Sequence, residues 1–287
     1  MVTNFISASS VQSNSNVFDF DDDDDVDNTE EHYSFGQSGR VVDLQGAFVP
    51  LLKAMDERLG GDWSVYDSDG DGYLDNCIIL HSGYAAEESG EDCTNGRTFE
   101  NRIWSHAFPD AGTWEGSGNI KLRGYMISSA LDLLCDSNPA KMGVMTHEYM
   151  HTFFLIDLYD TQFVGKGLGN YDIMAYPYGV ANTGYIPMNF SPWSKQTIEW
   201  QTCTPITSSG EYTLEPIAVA DACYKVTLLD TTAWEEYILL ENRQPIEFDV
   251  DFWAPGLLMY HIDEGAQDQQ YTGYPGMDEY WYGLFIS

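Results

Sequence analysis

The chain has 287 residues, enough for a substantial core in one large domain or two smaller ones, and carries 12 Lys plus Arg against 46 Asp plus Glu. A formal net charge of −34 repels phosphate backbones and anionic membrane surfaces, which sets nucleic-acid binding aside and favours hard divalent cations as partners. No run of about 18 apolar residues predicts a transmembrane helix, and the five cysteines lack the CxxC spacing of a zinc ribbon or a thioredoxin-like redox site.

Residues 1–44 open Ser- and Asn-rich, without the apolar run of a secretory signal. They continue into FDFDDDDDVD, whose like charges and scarce apolar content predict a poorly ordered segment. From Gln45 to Leu59 apolar residues recur at helical spacing, and Gly60 ends the predicted helix. YLDNCIILH at 73–81 reads as a strand of a sheet covered on both faces, and RIWSHAF at 102–108 and GYMISSAL at 124–131 are two further strand candidates. The segment AKMGVMTHEYMHTFFLIDLYD at 140–160 has the length and periodicity of a helix that buries one face. Beyond residue 205, GEYTLEPIAV, CYKVTLLD, EEYILLENRQ and GLLMYHIDE are short β-branched and aromatic runs between turn formers, predicting a β-rich section. The apolar end YWYGLFIS is expected to continue into a longer protein.

Chemistry concentrates in the 140–160 segment. His147, Glu148 and His151 form H-E-x-x-H, and i,i+4 spacing puts both imidazoles on one helical face within reach of one ion, with Glu148 beside them. Zinc needs a third protein ligand and an open position for water, and Asp157 stands ten residues after His147, the offset of the third ligand in the extended signature. GNYDIMAY at 169–176 is a candidate Met-turn, with Met174 as a polarizable apolar floor.

A second ion is expected in the loop Asp67–Asp75. Asp67, Asp69, Asp71 and Asp75 present carboxylates at loop positions one, three, five and nine, with Gly72 at the sharp turn, as in a calcium loop. Ile78 stands where an EF-hand needs a bidentate Glu, so the flanking helix pair is not expected. In an oxidising compartment the expected disulfides are Cys93 with Cys135 and Cys203 with Cys223, leaving Cys77 a buried thiol, although spacing alone derives no connectivity. His81, His106 and His261 have no metal-ligand spacing and read as structural.

HEYMHTFFLIDLYD with YDIMAY resembles the catalytic segment of the immune inhibitor A-type zinc metallopeptidases. DSDGDGYLDNCIILHSGYAAEESG, RIWSHAF, SPWSKQTIEW, EYILLENRQ and GLLMYHIDE are similar to further family landmarks in the same order, so the resemblance covers roughly residues 45–264. It implies an α+β fold: a metzincin-like catalytic domain at 45–204, with a mixed sheet and an active-site helix, continuous with a β-rich section at 205–287. It implies zinc on His147, His151 and Asp157, Glu148 as general base, Tyr176 as an oxyanion donor, protein substrates and an extracellular location. One position departs: the family usually has glycine seven residues after the first histidine, where this chain has Phe154. A bulky residue takes positive φ poorly, which favours one alternative, a catalytically inactive, calcium-binding relative acting as an adhesion or interaction module. A second alternative is an intracellular acidic binding protein whose H-E-x-x-H is accidental.

Overall fold

The computed structural model describes residues 34, 36–39, 52, 56, 60, 62–81, 83–93, 96–109, 114–115, 120–132, 134–135, 138–160, 167–178, 184–220, 222–252, 254–265 and 282–286. Nearly all of the predicted 1–44 segment and most of the predicted 45–59 helix lie outside the described residues; Leu52 and Asp56, the two described positions of that helix, are helical. The fold is mixed α+β and divides into two compact units, Met1–Ala140 and Lys141–Ser287.

In the first unit, strands β1 (Ile78–His81), β2 (His106–Phe108) and β5 (Tyr125–Ser129) form a mixed sheet in the order β1-β5-β2, with β1 parallel and β2 antiparallel to β5. Short strands β3 (Trp114–Glu115) and β4 (Lys121–Leu122) pair beside it. β5 is central and buried along its whole length, and Tyr125 and Ile127 join Leu52, Trp63, Leu74, Ile103, Ile120 and Leu122 in the core. The predicted two-sided burial of the 73–81 strand is corrected: β1 alternates, leaving Ile78 and Leu80 exposed, and Cys77 is half-buried just before it. Burial nevertheless pushes the Cys77 thiol up to about 12, so it stays protonated. The 102–108 strand shrinks to three residues because the backbone before it bonds elsewhere, Ile103 O to Ala86 N–H and Trp104 N–H to Ser38 O. Cys93 and Cys135 form a disulfide, as expected.

The second unit begins with helix α1 (Met142–His151), followed by α2 (Pro192–Thr197), which Ser191 caps by accepting the Ser194 N–H while Pro192 sits at the first helical position. Strands β6 (Thr204–Pro205), β7 (Tyr224–Asp230), β8 (Glu235–Arg243), β9 (Gly256–Asp263) and β10 (Tyr282–Ile286), with helix α3 (Ile217–Ala220) between β6 and β7, build a five-stranded sheet in the order β10-β9-β8-β7-β6. Only the β6–β7 pair is parallel. In β8 every second residue from Tyr237 to Arg243 is buried, the period-two pattern that made this section legible. The Cys203–Cys223 disulfide ties the residues entering β6 and β7.

One core runs under α1, the Met174 turn and the sheet, joining Met150, Leu155, Leu158, Ile173 and Met174 to Leu239, Leu258, Tyr260 and Ile262. At the end of β8, Arg243 is fully buried. It pairs with Glu241 at 2.9 Å and donates to the carbonyls of Tyr171 at 2.9 Å and Phe190 at 3.1 Å. The sheet thereby grips both ends of the 171–190 segment that carries the Met174 turn.

Candidate metal centre

Helix α1 starts hard against backbone. Gly143 N–H donates to Gly184 O at 3.1 Å, and a Cβ at Gly143 would lie 1.9 Å from Pro177 O, so a side chain here would push the helix away. With α1 seated, the i,i+4 pair His147 and His151 meets edge-on, ring centroids 4.8 Å apart, with Glu148 buried between them in sequence.

The helix ends at His151 rather than running to residue 160. Phe154 N–H bonds to His151 O at 2.9 Å and Leu155 N–H reaches back to Met150 O at 3.4 Å, the paired bonds of a Schellman stop. That stop needs a left-handed residue at its first position beyond the helix, and Phe154 supplies it at φ 63°, the residue 61% exposed. Leu155, the next residue, closes the motif by packing with Met150 in the core. The turn expected of glycine is therefore made by phenylalanine, and Asp157 is not displaced.

Asp157 Oδ1 lies 3.1 Å from His147 Nε2 and 3.2 Å from His151 Nε2. The other ring nitrogens are committed: His147 Nδ1 faces Ile173 O at 3.0 Å, and His151 Nδ1 faces Leu155 O at 2.6 Å. A neutral imidazole that donates from Nδ1 presents a bare lone pair at Nε2, so three lone pairs converge and Asp157 Oδ1 is buried without a hydrogen-bond partner. Only a proton or a metal cation relieves that arrangement. The ligand–ligand edge of a tetrahedral zinc site is about 3.3 Å for bonds near 2.05 Å, close to the 3.1 and 3.2 Å contacts, so the donor set fits zinc.

The electrostatics agree. Burial alone would raise the Asp157 carboxyl, but the two imidazoles against Oδ1 hold it well below the usual carboxylate range. Burial works against a charged His151 ring, yet Asp157 and Glu148 together raise its pKa above the ordinary histidine value. The cage selects positive charge.

The predicted Met-turn holds both arms of this cage. Ile173 O receives His147 Nδ1, while the next carbonyl, Met174 O, receives Leu158 N–H at 2.8 Å, directly after Asp157. Asp172, fully buried, fixes the turn. Its carboxylate accepts from Met174 N–H, Ser191 N–H and Ser194 Oγ, each at 2.7 Å. Met174 itself has no exposed surface, and Tyr176 follows the turn with its ring edge-on to Tyr178 at 5.5 Å. Sequence reasoning assigned no role to Asp172 or to Tyr159, whose hydroxyl donates to Asp157 Oδ2 at 2.9 Å. No motif spacing marks either residue: Asp172 acts on Ser191 and Ser194, which only the fold brings near, and Tyr159 reaches two residues back to Asp157 from outside the H-E-x-x-H signature.

In the first unit, Asp67, Asp69 and Asp71 offer oxygens within 4.8 Å of one another, with Gly72 at φ 85° in the sharp turn. Asp75 accepts Ser68 Oγ–H at 2.6 Å instead of joining them, and Asp71 pairs with Arg123 at 3.0 Å. His106 bonds to Trp104 O at 2.7 Å and His261 to Glu236 at 2.8 Å, the structural roles expected of them. Among the described residues, no helix is long and apolar enough to cross a membrane.

Residues 53–204, more than half of the chain, match the family model of the immune inhibitor A peptidase M6 catalytic domain. Over 136 residues the chain is 32% identical to the pre-pro-metalloprotease PrtV of Vibrio cholerae serotype O1, a region covering 45% of this chain and 14% of that protein. Over 133 residues it is 29% identical to immune inhibitor A of Bacillus thuringiensis subsp. alesti, covering 44% of this chain and 18% of that protein. The chain thus spans less than a fifth of the length of the curated relatives it matches.

Proposed function

The chain belongs to the immune inhibitor A peptidase family, and from that premise we propose that it is a zinc-dependent endopeptidase that hydrolyses peptide bonds in protein substrates. The observation that carries the reading is the convergence of His147 Nε2, His151 Nε2 and Asp157 Oδ1 on one point, with the Nδ1 atoms of both rings engaged by backbone carbonyls. These three residues hold the zinc. When bound, zinc lowers the pKa of a ligated water to about 7 and polarises the scissile carbonyl. Glu148, beside both histidines on α1, takes the attacking water's proton and delivers it to the leaving amine. Tyr176, next to the Met174 turn, donates its hydroxyl to the oxyanion. The carbonyls of Ile173 and Leu155 orient the imidazoles, so the protein's own contribution is a rigid cage with its lone pairs aimed at one point.

On this reading residues 45–204 form a metzincin-like catalytic domain, continuous with the β-rich section at 205–287, and the protein acts outside the cell. The Asp67–Asp71 loop binds calcium as a structural ion. Phe154 no longer favours an inactive relative, since it adopts the backbone that glycine would.

The test is Glu148→Ala in the purified, zinc-loaded chain. Casein hydrolysis is expected to fall by at least about 10²-fold while zinc stoichiometry stays the same. Activity that survives the substitution removes Glu148 from the base role; loss of zinc along with activity makes it part of the cage instead.

A further inference from the structure

We propose that Tyr159 is a positioning residue of the metal centre: its hydroxyl, held on Asp157 Oδ2 at 2.9 Å, makes Asp157 a single-oxygen ligand through Oδ1. The inference rests on reading His147, His151 and Asp157 as a zinc cage.

An imidazole offers a metal one lone pair, whereas a carboxylate offers two oxygens and can rotate to bind through both. In a cage that contains an aspartate, the second oxygen is a competitor for the position that water must occupy. Here the two oxygens are differentiated. Oδ1 faces both Nε2 atoms at 3.1 and 3.2 Å and receives no hydrogen bond, while Oδ2 is taken by Tyr159. A neutral phenol suits the task, because it fixes the carboxylate without cancelling the charge that the metal requires.

The same side chain braces a second ligand. The Tyr159 ring lies nearly parallel to that of His147, at 23° with centroids 6.3 Å apart. Tyr159 is also held in place: Leu158, immediately before it, is fully buried, donates its N–H to Met174 O, and accepts from Leu168 N–H at 2.9 Å. One residue thus limits rotation of the carboxylate and faces the first imidazole, while the residue before it is anchored to the Met174 turn.

Zinc affinity measured by competition with a chromophoric chelator, on the full chain stripped of metal and retitrated, tests this. Tyr159→Phe is expected to weaken binding by about 10- to 100-fold, with the melting temperature of the metal-free protein unchanged. Because the hydroxyl acts through the carboxylate, adding Tyr159→Phe to Asp157→Ala is expected to cost nothing more. Cobalt(II) loading gives an independent readout, with the visible absorption weaker in Tyr159→Phe as the freed oxygen raises the coordination number. Wild-type zinc affinity in Tyr159→Phe, or an equal further loss in the Asp157→Ala background, overturns the inference alone. A wild-type chain that melts normally yet binds no zinc overturns the cage reading, and the role of Tyr159 with it.

Discussion

At Phe154 backbone geometry and residue type conflict, and the size of the conflict can be worked out. At φ 63° an L-residue carries a penalty of about 1–2 kcal/mol that glycine does not. Glycine's greater unfolded-state entropy returns roughly 0.5–1 kcal/mol of that. Replacing Phe154 by glycine also removes whatever its partly covered ring contributes, so the informative comparison is Phe154→Gly with Phe154→Ala, which share that loss. Glycine is expected to be the more stable of the two by about 0.5–1 kcal/mol, or roughly 1–4 °C in melting temperature for a domain of this size. Two residues earlier, Thr152 has ordinary right-handed helical backbone at φ −66°, and there the order should invert, with alanine ahead of glycine by a similar margin. Thermal melts of the four variants, each with and without zinc, decide the matter. If alanine equals or exceeds glycine at both sites, the helix does not end in a left-handed residue and the route that delivers Asp157 to the histidines is wrong.

Arg243→Met leaves Glu241 and Asp249 as buried acids without their guanidinium, and is expected to cost about 3–5 kcal/mol in urea denaturation. Adding Glu241→Gln should recover part of that, and a double variant no better than the single one contradicts the pairing. His81 is pushed down to about 4 by burial and by the neighbouring His106. Its unfolded-state value is the ordinary 6.5, so its contribution is complete above pH 6.5 and is lost as the pH falls towards 4. At roughly 1.4 kcal/mol per pH unit this reaches at most about 3 kcal/mol, less because the residue as a whole is only partly buried. His81→Gln should flatten the acid side of the melting curve, whereas an unchanged slope assigns the acid sensitivity to other groups. Calcium is expected to raise the melting temperature, with about 2.7 kcal/mol of stabilisation at a hundredfold excess over its dissociation constant. Asp67→Asn should abolish the rise; a rise that persists places the ion elsewhere.

How much of this was legible in the sequence depends on how local each feature is. The cage could be read because its three ligands lie within eleven residues and its geometry follows from helical periodicity plus one turn. The β-rich section could be read from alternation, which β8 and β9 keep along most of their length. The 140–160 helix was overestimated because Phe153, Leu155 and Ile156 continue an apolar pattern beyond the backbone stop that Phe154 makes. β1 misled for a related reason: an apolar run satisfies a strand with one open face as well as one with none. Asp172 is illegible because its partners Ser191 and Ser194 are set by a chain reversal that no period or spacing encodes, and Tyr159 because a tyrosine two residues from Asp157 belongs to no metal-ligand spacing.

The adjacent carbonyls at 173 and 174 point to one last consequence. Because the acceptors for His147 and Leu158 belong to consecutive peptide planes joined at Met174 Cα, a rotation about that atom shifts the imidazole and the aspartate limb together. Substitutions that disturb the loop should therefore misalign the whole donor triangle at once, and tolerance at 172–174 should be far narrower than packing volume alone allows.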